Sequence, residues 1–333
     1  MTNKKFKAML VSETEEQKFK KEIVTRQIND LPKGDVLINV KYSSLNYKDA
    51  LSSIGNRGVT KNYPHTPGVD AAGVVVESND SNLKAGNKVI ITGYDLGMNT
   101  SGGYGEYIRV PREWVVKLPK NLSLRESMIY GTAGFTAALS VYKLVKSGVT
   151  PNDGDILVTG ATGGVGSTAI SILSKIGYDV IAATGKSNEK EMLLALGAKD
   201  IIDRRKVDDD SGKPLLKGNW AGAIDTVGGN MLATAIKSTN YGGSVTCCGN
   251  VASHEFLTSV YPFILRGVTL FGIDSVQCPM DTRLEIWDKL SSDWKLSNLN
   301  DNVDEVSLEK LSKKIDMMLD GQHKGRTIVN LEL

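Results

Sequence analysis

The chain has 333 residues, 23% of them charged and 41% hydrophobic, with a formal net charge of +2. That length accommodates two domains with large cores, and the near-balanced charge points to neither a nucleic-acid binder nor a membrane-surface protein. The absence of an 18-residue apolar run, the charged start MTNKKFKAML and the odd set Cys247, Cys248 and Cys278 together predict a protein of the reducing cytoplasm without a membrane span.

In chain order, residues 1–125 are strand-rich. Strands are expected at Phe6 to Val11, Asp35 to Tyr42, Gly73 to Val76 and Lys88 to Ile91, set between turn signals such as Lys84-Ala85-Gly86-Asn87. Gly102 to Ile108 is a turn feeding a strand, and Trp114 to Val116 closes the series before Leu118-Pro119. Short strands at this density predict a compact barrel-like domain. Helices follow at Leu124 to Tyr130 and Thr136 to Val145, broken at Gly131-Thr132-Ala133-Gly134, and Pro151 to Gly154 is a turn.

The next stretch, DILVTGATGGVGSTAISIL from Asp155 to Leu173, organises what comes after it. Ile156-Leu157-Val158 suits a buried parallel strand; Gly160, Gly163, Gly164 and Gly166 crowd a turn; Ala169, Ile170, Ile172, Leu173 and Ile176 have helical spacing. Ala161-x-Gly163-x-x-Gly166 fits the dinucleotide fingerprint with Ala for its first Gly. Glycines admit a pyrophosphate close to the backbone, and the N–H groups opening the helix attract it. A glycine turn alone also fits an ordinary α/β domain, but a second strand, Asp179 to Ala183, arrives where the nucleotide fold requires it.

Helix and strand then alternate: Glu189 to Leu196, Asp200 to Ile202, a strand ending at Asp225, Leu232 to Ser238, Gly243 to Cys248, and Thr269 to Ile273. This predicts a parallel sheet. Two amphipathic helices, Arg283 to Trp294 and Leu308 to Leu319, precede a last strand, Arg326 to Leu331. That strand is left without a parallel partner and is expected to return to the first domain.

The second nucleotide-fold strand ends Ala182-Ala183-Thr184-Gly185-Lys186, with no carboxylate for a ribose 2′-hydroxyl, and Arg204 follows the third. A hydroxyl and two cations suit a 2′-phosphate, so NADPH is the expected cofactor; the alternative is exposed surface charge. Thr159-Gly160-x-x-x-Gly164-x-Gly166 also fits the short-chain dehydrogenase pattern, but the only Tyr-x-x-x-Lys, Tyr142 to Lys146, precedes it, which argues against that family.

Four stretches carry a sharper likeness: Ser44-Leu45-Asn46-Tyr47-Lys48-Asp49-Ala50-Leu51, Pro67-Gly68-Val69-Asp70-Ala71-Ala72-Gly73, Gly131 to Ala137, and Trp220 to Gly228. Over essentially its whole length the chain resembles the zinc-independent quinone-oxidoreductase branch of the medium-chain dehydrogenase/reductase superfamily, in the YhdH/YhfP group that includes acrylyl-CoA reductases. The resemblance implies an α/β chain: a GroES-like β-rich catalytic domain at 1–125 with 290–333, and a doubly wound Rossmann domain at 126–289. Zinc alcohol dehydrogenases place Cys where Asn46 stands and Gly-His-Glu at Gly68-Val69-Asp70. With no four-cysteine cluster, and with His65, His254 and His323 far apart, no metal is expected. Those histidines are expected to be surface or locally hydrogen-bonded groups.

The resemblance further implies a cofactor in the cleft between domains. Its pyrophosphate would lie on Thr162, Gly163, Gly164 and Val165, and its 2′-phosphate at Thr184, Gly185, Lys186 and Arg204. Tyr47, Thr132, Asn250, Ile264 and Ser275 would contribute further cofactor contacts, Thr132 near the nicotinamide. Asn46, Tyr47 and Asp49 are the candidate catalytic cluster: Tyr47 as hydrogen-bond donor, Asn46 orienting substrate or water, Asp49 structural or orienting. The bland alternative is a helix cap. The implied reaction is hydride transfer to an α,β-unsaturated carbonyl, foremost a short enoyl thioester such as acrylyl-CoA; the alternative acceptor is a quinone. A non-enzymatic alternative is an NADPH-binding protein with a nucleic-acid or structural role, against which the balanced charge argues. Thr269 to Ile273 is expected to end the sheet and to pair two copies into a homodimer, unless the helix Arg283 to Trp294 covers it.

Overall fold

The computed structural model describes residues 4–301 and 303–333. Two compact units emerge. The first holds the chain up to Thr132, together with Val276–Ser291 and Leu299–Leu333; the second holds Ala133–Ser275 and Ser292–Asn298.

In the first unit, β1 (Lys5–Glu13) and β2 (Phe19–Gln27) form an antiparallel ribbon paired from Lys5–Gln27 to Glu13–Phe19. β2 escapes the hydrophobic-alternation criterion because it is a half-wet strand of charged residues, and the lysines around Phe19 are its solvated side. The larger sheet follows β3 (Val36–Ser44), α1 (Tyr47–Ser53), β4 (Asp70–Ser78), β5 (Lys88–Thr92), β6 (Tyr107–Val110) and β7 (Val116–Lys117). Trp114, expected in a strand, closes a short 3-10 turn instead. Val36, Ile38, Val40, Val75, Val89, Ile91, Ile108 and Val110 interdigitate in one core. Burying each such side chain contributes roughly 1.5–3 kcal/mol.

α2 (Leu124–Lys146) then runs past the unit boundary at Thr132. The expected break at Gly131 is a kink: its φ of 49° and ψ of −157° are not helical.

The second unit is a six-stranded parallel sheet. Its elements are β8 (Ile156–Val158), α3 (Gly164–Lys175), β9 (Val180–Thr184), α4 (Lys190–Ala195), β10 (Asp200–Asp203), β11 (Trp220–Asp225), α5 (Gly229–Lys237), β12 (Thr239–Cys247), α6 (Tyr261–Arg266) and β13 (Thr269–Gly272). The strand order β10-β9-β8-β11-β12-β13 places β8 next to the centre and β13 at an edge, as expected of a doubly wound sheet. α6 is too short, and too near Pro262, to stand out by periodicity.

α7 (Met280–Ser291), β14 (Val303–Ser307), α8 (Leu311–Leu319) and β15 (Arg326–Asn330) complete the first unit. Two expectations need correction here. β15 does have a parallel partner, β14, on one side, with antiparallel β3 on the other; the acidic residues of β14 hide it as a strand. The expected boundaries at 125/126 and 289/290 also differ from those observed, since α7 groups with the first unit. The reason is Arg283, fully buried, whose guanidinium donates to the Thr92 carbonyl and hydroxyl at 2.7 and 2.9 Å and to the Val276 carbonyl at 3.1 Å. It lies 4.4 Å from the centre of the Tyr94 ring. Among the described residues no helix is long and apolar enough to cross a membrane.

Candidate active site

α1 begins at Tyr47, directly after β3, and its N-terminal turn presents the candidate cluster. Asp49 reaches back to accept the Asn46 N–H at 2.8 Å, the carboxylate half of a capping box. Its other oxygen accepts the Gly68 and Val69 N–H groups at 3.1 and 2.9 Å. Asp49 is therefore fully buried and joins the start of α1 to the loop before β4. Burial, and then the neighbouring Asp70 charge, push its carboxyl up to about 7 against the opposing hydrogen bonds.

Asn46, the N-cap residue, turns its side chain the other way. Its amide nitrogen donates to Asp70 Oδ2 at 2.7 Å and approaches Ser44 Oγ at 3.4 Å, and its Oδ1 lies 3.5 Å from an Arg326 nitrogen. Capping is thus the role of Asp49, while Asn46 serves a buried network. Asp70, at the start of β4, also accepts the Ser44 hydroxyl at 2.5 Å, the Thr132 N–H at 2.8 Å and the Thr132 hydroxyl at 2.6 Å. Arg326 donates to the Ile129 and Leu45 carbonyls and to Ser44 Oγ at 2.8, 3.3 and 2.9 Å. Burial lowers the guanidinium pKa, and the charges of Asp70, Tyr104 and Asp49 oppose that shift. Tyr104 is fully buried, its hydroxyl donating to the Ser44 carbonyl at 3.2 Å, and desolvation raises its pKa well above the usual phenol value. Tyr47 differs from all of these. It is 41% exposed, and its hydroxyl makes no hydrogen bond among the described residues.

The structure thus brings Asn46, Asp49 and Thr132 into one network and leaves Tyr47 beside it with an uncommitted donor. Ser44, Asp70, Tyr104 and Arg326 have no site role in the sequence reading. The available signal is charge out of place: Asp70 opens the apolar run DAAGVVV, and Arg326 opens RTIVN.

In the second unit, Gly163 caps α3 without a side chain, so no capping side chain covers the N–H groups of the first turn at Gly164 and Val165. A Cβ on Gly166 would sit 2.5 Å from the Gly160 carbonyl, so only glycine lets α3 start this close to the turn. Thr162 is buried at its side. Asp225 ties the carboxyl ends of β8 and β11 together, accepting the Thr159 hydroxyl at 2.7 Å and the Gly228 N–H at 2.7 Å.

At the end of β9, Lys186 N–H donates to the buried Thr184 hydroxyl at 3.0 Å. A Cβ on Gly185 would lie 2.9 Å from Arg204 Nε, so the guanidinium is folded over this glycine. Arg205 instead pairs with Asp203 at 2.7 Å and holds that carboxyl well below the usual range. Arg204 makes no ion pair among the described residues. Thr184, Gly185, Lys186 and Arg204 are therefore neighbours. Asn250 stands in the turn whose carbonyls approach Gly228. Ser275 is nearly buried and accepts the Thr136 hydroxyl at 2.8 Å, and Ile264 projects from α6 with 67% exposure.

Among the described residues no group of three or more His, Cys, Asp or Glu side chains could hold a metal ion. His65 is buried and hydrogen-bonded to the Gly97 backbone; burial lowers its pKa against that bond, and its Nε2 has no partner among the described residues.

The buried Asp49 carboxyl has a pH consequence. Between the ordinary carboxylate value of 3.8 and about 7, the folded protein holds a proton at Asp49 that the unfolded chain has released. Asp49 therefore withdraws stability as pH rises through that window and adds no further change above it. Asp49→Asn, which mimics the protonated form, is expected to lower the melting temperature at pH 5 more than at pH 8. A difference independent of pH in thermal unfolding refutes this.

Comparison with known proteins gives a consistent result. The family described as alcohol dehydrogenase GroES-like domain matches residues 32–120, and the one described as zinc-binding dehydrogenase matches 164–292. The chain is similar to YhfP of Bacillus subtilis, provisionally named a quinone oxidoreductase, with 50% identity over 93% of this chain and 94% of that one. It is similar to the acrylyl-CoA reductase AcuI of Ruegeria pomeroyi, with 40% identity over 98% and 99% of the two chains. The crystal structure of the Salmonella enterica yhdH oxidoreductase in complex with NADP superposes with a TM-score of 0.95 at 42% identity, covering 98% of this chain and 99% of that one. The B. subtilis yhfP structure, with NAD bound, reaches 0.96 at 47% identity, covering 98% and 100%. With these relatives along its whole length, the chain belongs to the YhdH/YhfP group of the medium-chain dehydrogenase/reductase superfamily and is an oxidoreductase.

Proposed function

We propose that the enzyme reduces an α,β-unsaturated carbonyl compound with NADPH, the acceptor being a short enoyl thioester such as acrylyl-CoA. The observation that carries this reading is Tyr47: an exposed, uncommitted hydroxyl next to a side-chain network whose other donors are all engaged. The full-length likeness to an acrylyl-CoA reductase supports the choice of acceptor.

NADPH supplies the hydride when bound. The residues fit its two anionic parts: the open first turn of α3 suits a pyrophosphate, and the Gly185–Arg204 contact with Lys186 beside it suits a 2′-phosphate. Hydride addition at the β-carbon builds negative charge on the carbonyl oxygen. Tyr47 Oη–H donates a hydrogen bond to that oxygen as the charge develops. The α-carbon then takes its proton from Tyr47 or from water. Asn46, whose amide is spent on Asp70, holds the N-terminal turn of α1 rather than the substrate. Asp49 holds the same turn through the backbone. Quinone reduction is the second reading, favoured by the higher identity to YhfP.

The free thiols, with burial raising the pKa of both Cys247 and Cys248, suit a reducing cytoplasm. We also assign the edge strand β13 as the contact between two copies. It ends the sheet with Leu270 and Phe271 only partly covered, and Leu257, Val260, Ile264 and Leu265 lie exposed in the segment just before it.

Three outcomes test these assignments. Each charge-assisted contact to a phosphate contributes roughly 1.5–3 kcal/mol, so a Lys186→Ala, Arg204→Ala enzyme should bind NADPH at least about tenfold more weakly while NADH binding barely moves. Equal losses for both cofactors in a fluorescence titration would remove the 2′-phosphate assignment. With a panel of enones, quinones and enoyl-CoA esters, acrylyl-CoA should give the highest kcat/KM, and Tyr47→Phe should lower kcat on it by roughly 10²-fold or more. A quinone as best acceptor sinks the thioester reading, and full turnover by Tyr47→Phe sinks the donor role. Light scattering should give about 72 kDa, twice the 36.0 kDa chain; a monomer mass at micromolar concentration rejects the β13 pairing.

A further inference from the structure

We infer that Asp70 is the positioning residue of this site: one buried carboxylate sets both the α2 kink that presents Thr132 and the side-chain orientation of Asn46 next to Tyr47. The inference rests on the reading above in taking Thr132 and Tyr47 to face the cofactor and acceptor.

The geometry is unusual in how much converges on one group. Asp70 is fully buried, and four donors from three other segments end on it: the Ser44 hydroxyl, the Asn46 amide, and both the N–H and the hydroxyl of Thr132. The two bonds from Thr132 grip it at backbone and side chain together, so neither its position nor its χ1 is free. Its N–H reaches Asp70 because the non-helical dihedrals of Gly131 turn it out of the α2 ladder. Gly131 in turn has no room for a side chain. A Cβ there would lie 2.5 Å from Asp70 Oδ2, 2.5 Å from Ser44 Oγ and 2.8 Å from an Arg326 nitrogen. The kink and the carboxylate are therefore parts of one device.

The second arm is Asn46. With its amide nitrogen shared between Asp70 and Ser44 and its Oδ1 toward Arg326, its rotamer is set on every side. Tyr47 follows it directly as the first residue of α1. Asp70 touches neither Tyr47 nor any reacting atom; it acts through the residues it holds. A group that only stabilised the fold would affect the amount of folded enzyme and leave the chemistry of each folded molecule unchanged. A positioning group changes the chemical step, because misplacement on the scale of about 1 Å costs about 10²-fold in rate.

The experiment compares wild type, Asp70→Asn and Thr132→Val as full-length proteins. Asp70→Asn keeps the shape but removes the charge and exchanges one acceptor oxygen for a donor, so it can no longer accept from all four donors. Thr132→Val removes one arm and leaves Asp70 paired, which keeps the test open if Asp70→Asn folds poorly. Steady-state rates are normalised to NADPH-binding sites, and the isotope effect is measured with NADPH deuterated at the transferred position. Both variants should bind NADPH within about threefold of wild type, lose kcat by about tenfold or more in Asp70→Asn and less in Thr132→Val, and show a larger isotope effect on kcat. The fluorescence of bound NADPH, read without any acceptor, should shift in both. Unchanged kcat per site, isotope effect and bound-cofactor fluorescence in the two variants overturn the inference. A wild type that reduces none of the acceptors overturns the proposed reaction instead, and the fluorescence comparison then decides the inference alone.

Discussion

The first unit depends on a buried charge, the carboxylate of Asp70, with the guanidinium of Arg326 close by on the same hydroxyl of Ser44. Carrying both groups out of water is costly, and the cost is offset only because hydrogen bonds surround them. Removing one partner from such a cluster typically costs about 3–5 kcal/mol. The donors to Asp70 come from the end of β3, the N-terminal turn of α1 and the kink of α2, and Arg326 at the start of β15 donates in turn to the Ser44 hydroxyl. The requirement to satisfy one carboxylate therefore adds polar ties between segments, most of which also share one hydrophobic core, and it does so next to the residues proposed to meet the acceptor.

The same cluster explains what stands in place of a metal centre. In zinc relatives the position of Asn46 is a thiolate and that of Val69 an imidazole. Here a neutral amide occupies the first position and points at a carboxylate, and an apolar side chain occupies the second. A cation would find neither a thiolate nor an imidazole at these two positions. In the reaction proposed above the donor to a carbonyl oxygen would be a hydroxyl, and Tyr47 carries an exposed one.

The second unit solves a parallel problem with different parts. Asp225 is also buried, with a raised pKa caused mainly by desolvation, and it too is satisfied by a hydroxyl and backbone N–H groups. It fixes the carboxyl ends of β8 and β11, where a doubly wound sheet binds its ligand. The glycine turn and α3 start there, and the Thr184–Arg204 cluster stands one strand further along, at the ends of β9 and β10.

By itself the sequence determined the parallel sheet, the glycine turn, an interruption of the helical pattern at Gly131 to Gly134 and the substitution of cations for a carboxylate after β9. Each of these is local: a period of hydrophobicity, a residue without a side chain, or a charge at a strand end. It did not reveal β2 or β14, because strands with one wet face carry charges that mask alternation. Nor did it place α7, whose affiliation depends on a single buried arginine reaching Thr92. Above all, the tertiary structure alone decided which members of the Asn46–Asp49 cluster are free to act. Asn46 and Asp49 are polar and close in sequence to Tyr47, yet both are consumed by partners about twenty residues or more away along the chain. A hydrogen-bonding group has a fixed number of protons and lone pairs, and only the folded chain shows where they are already spent.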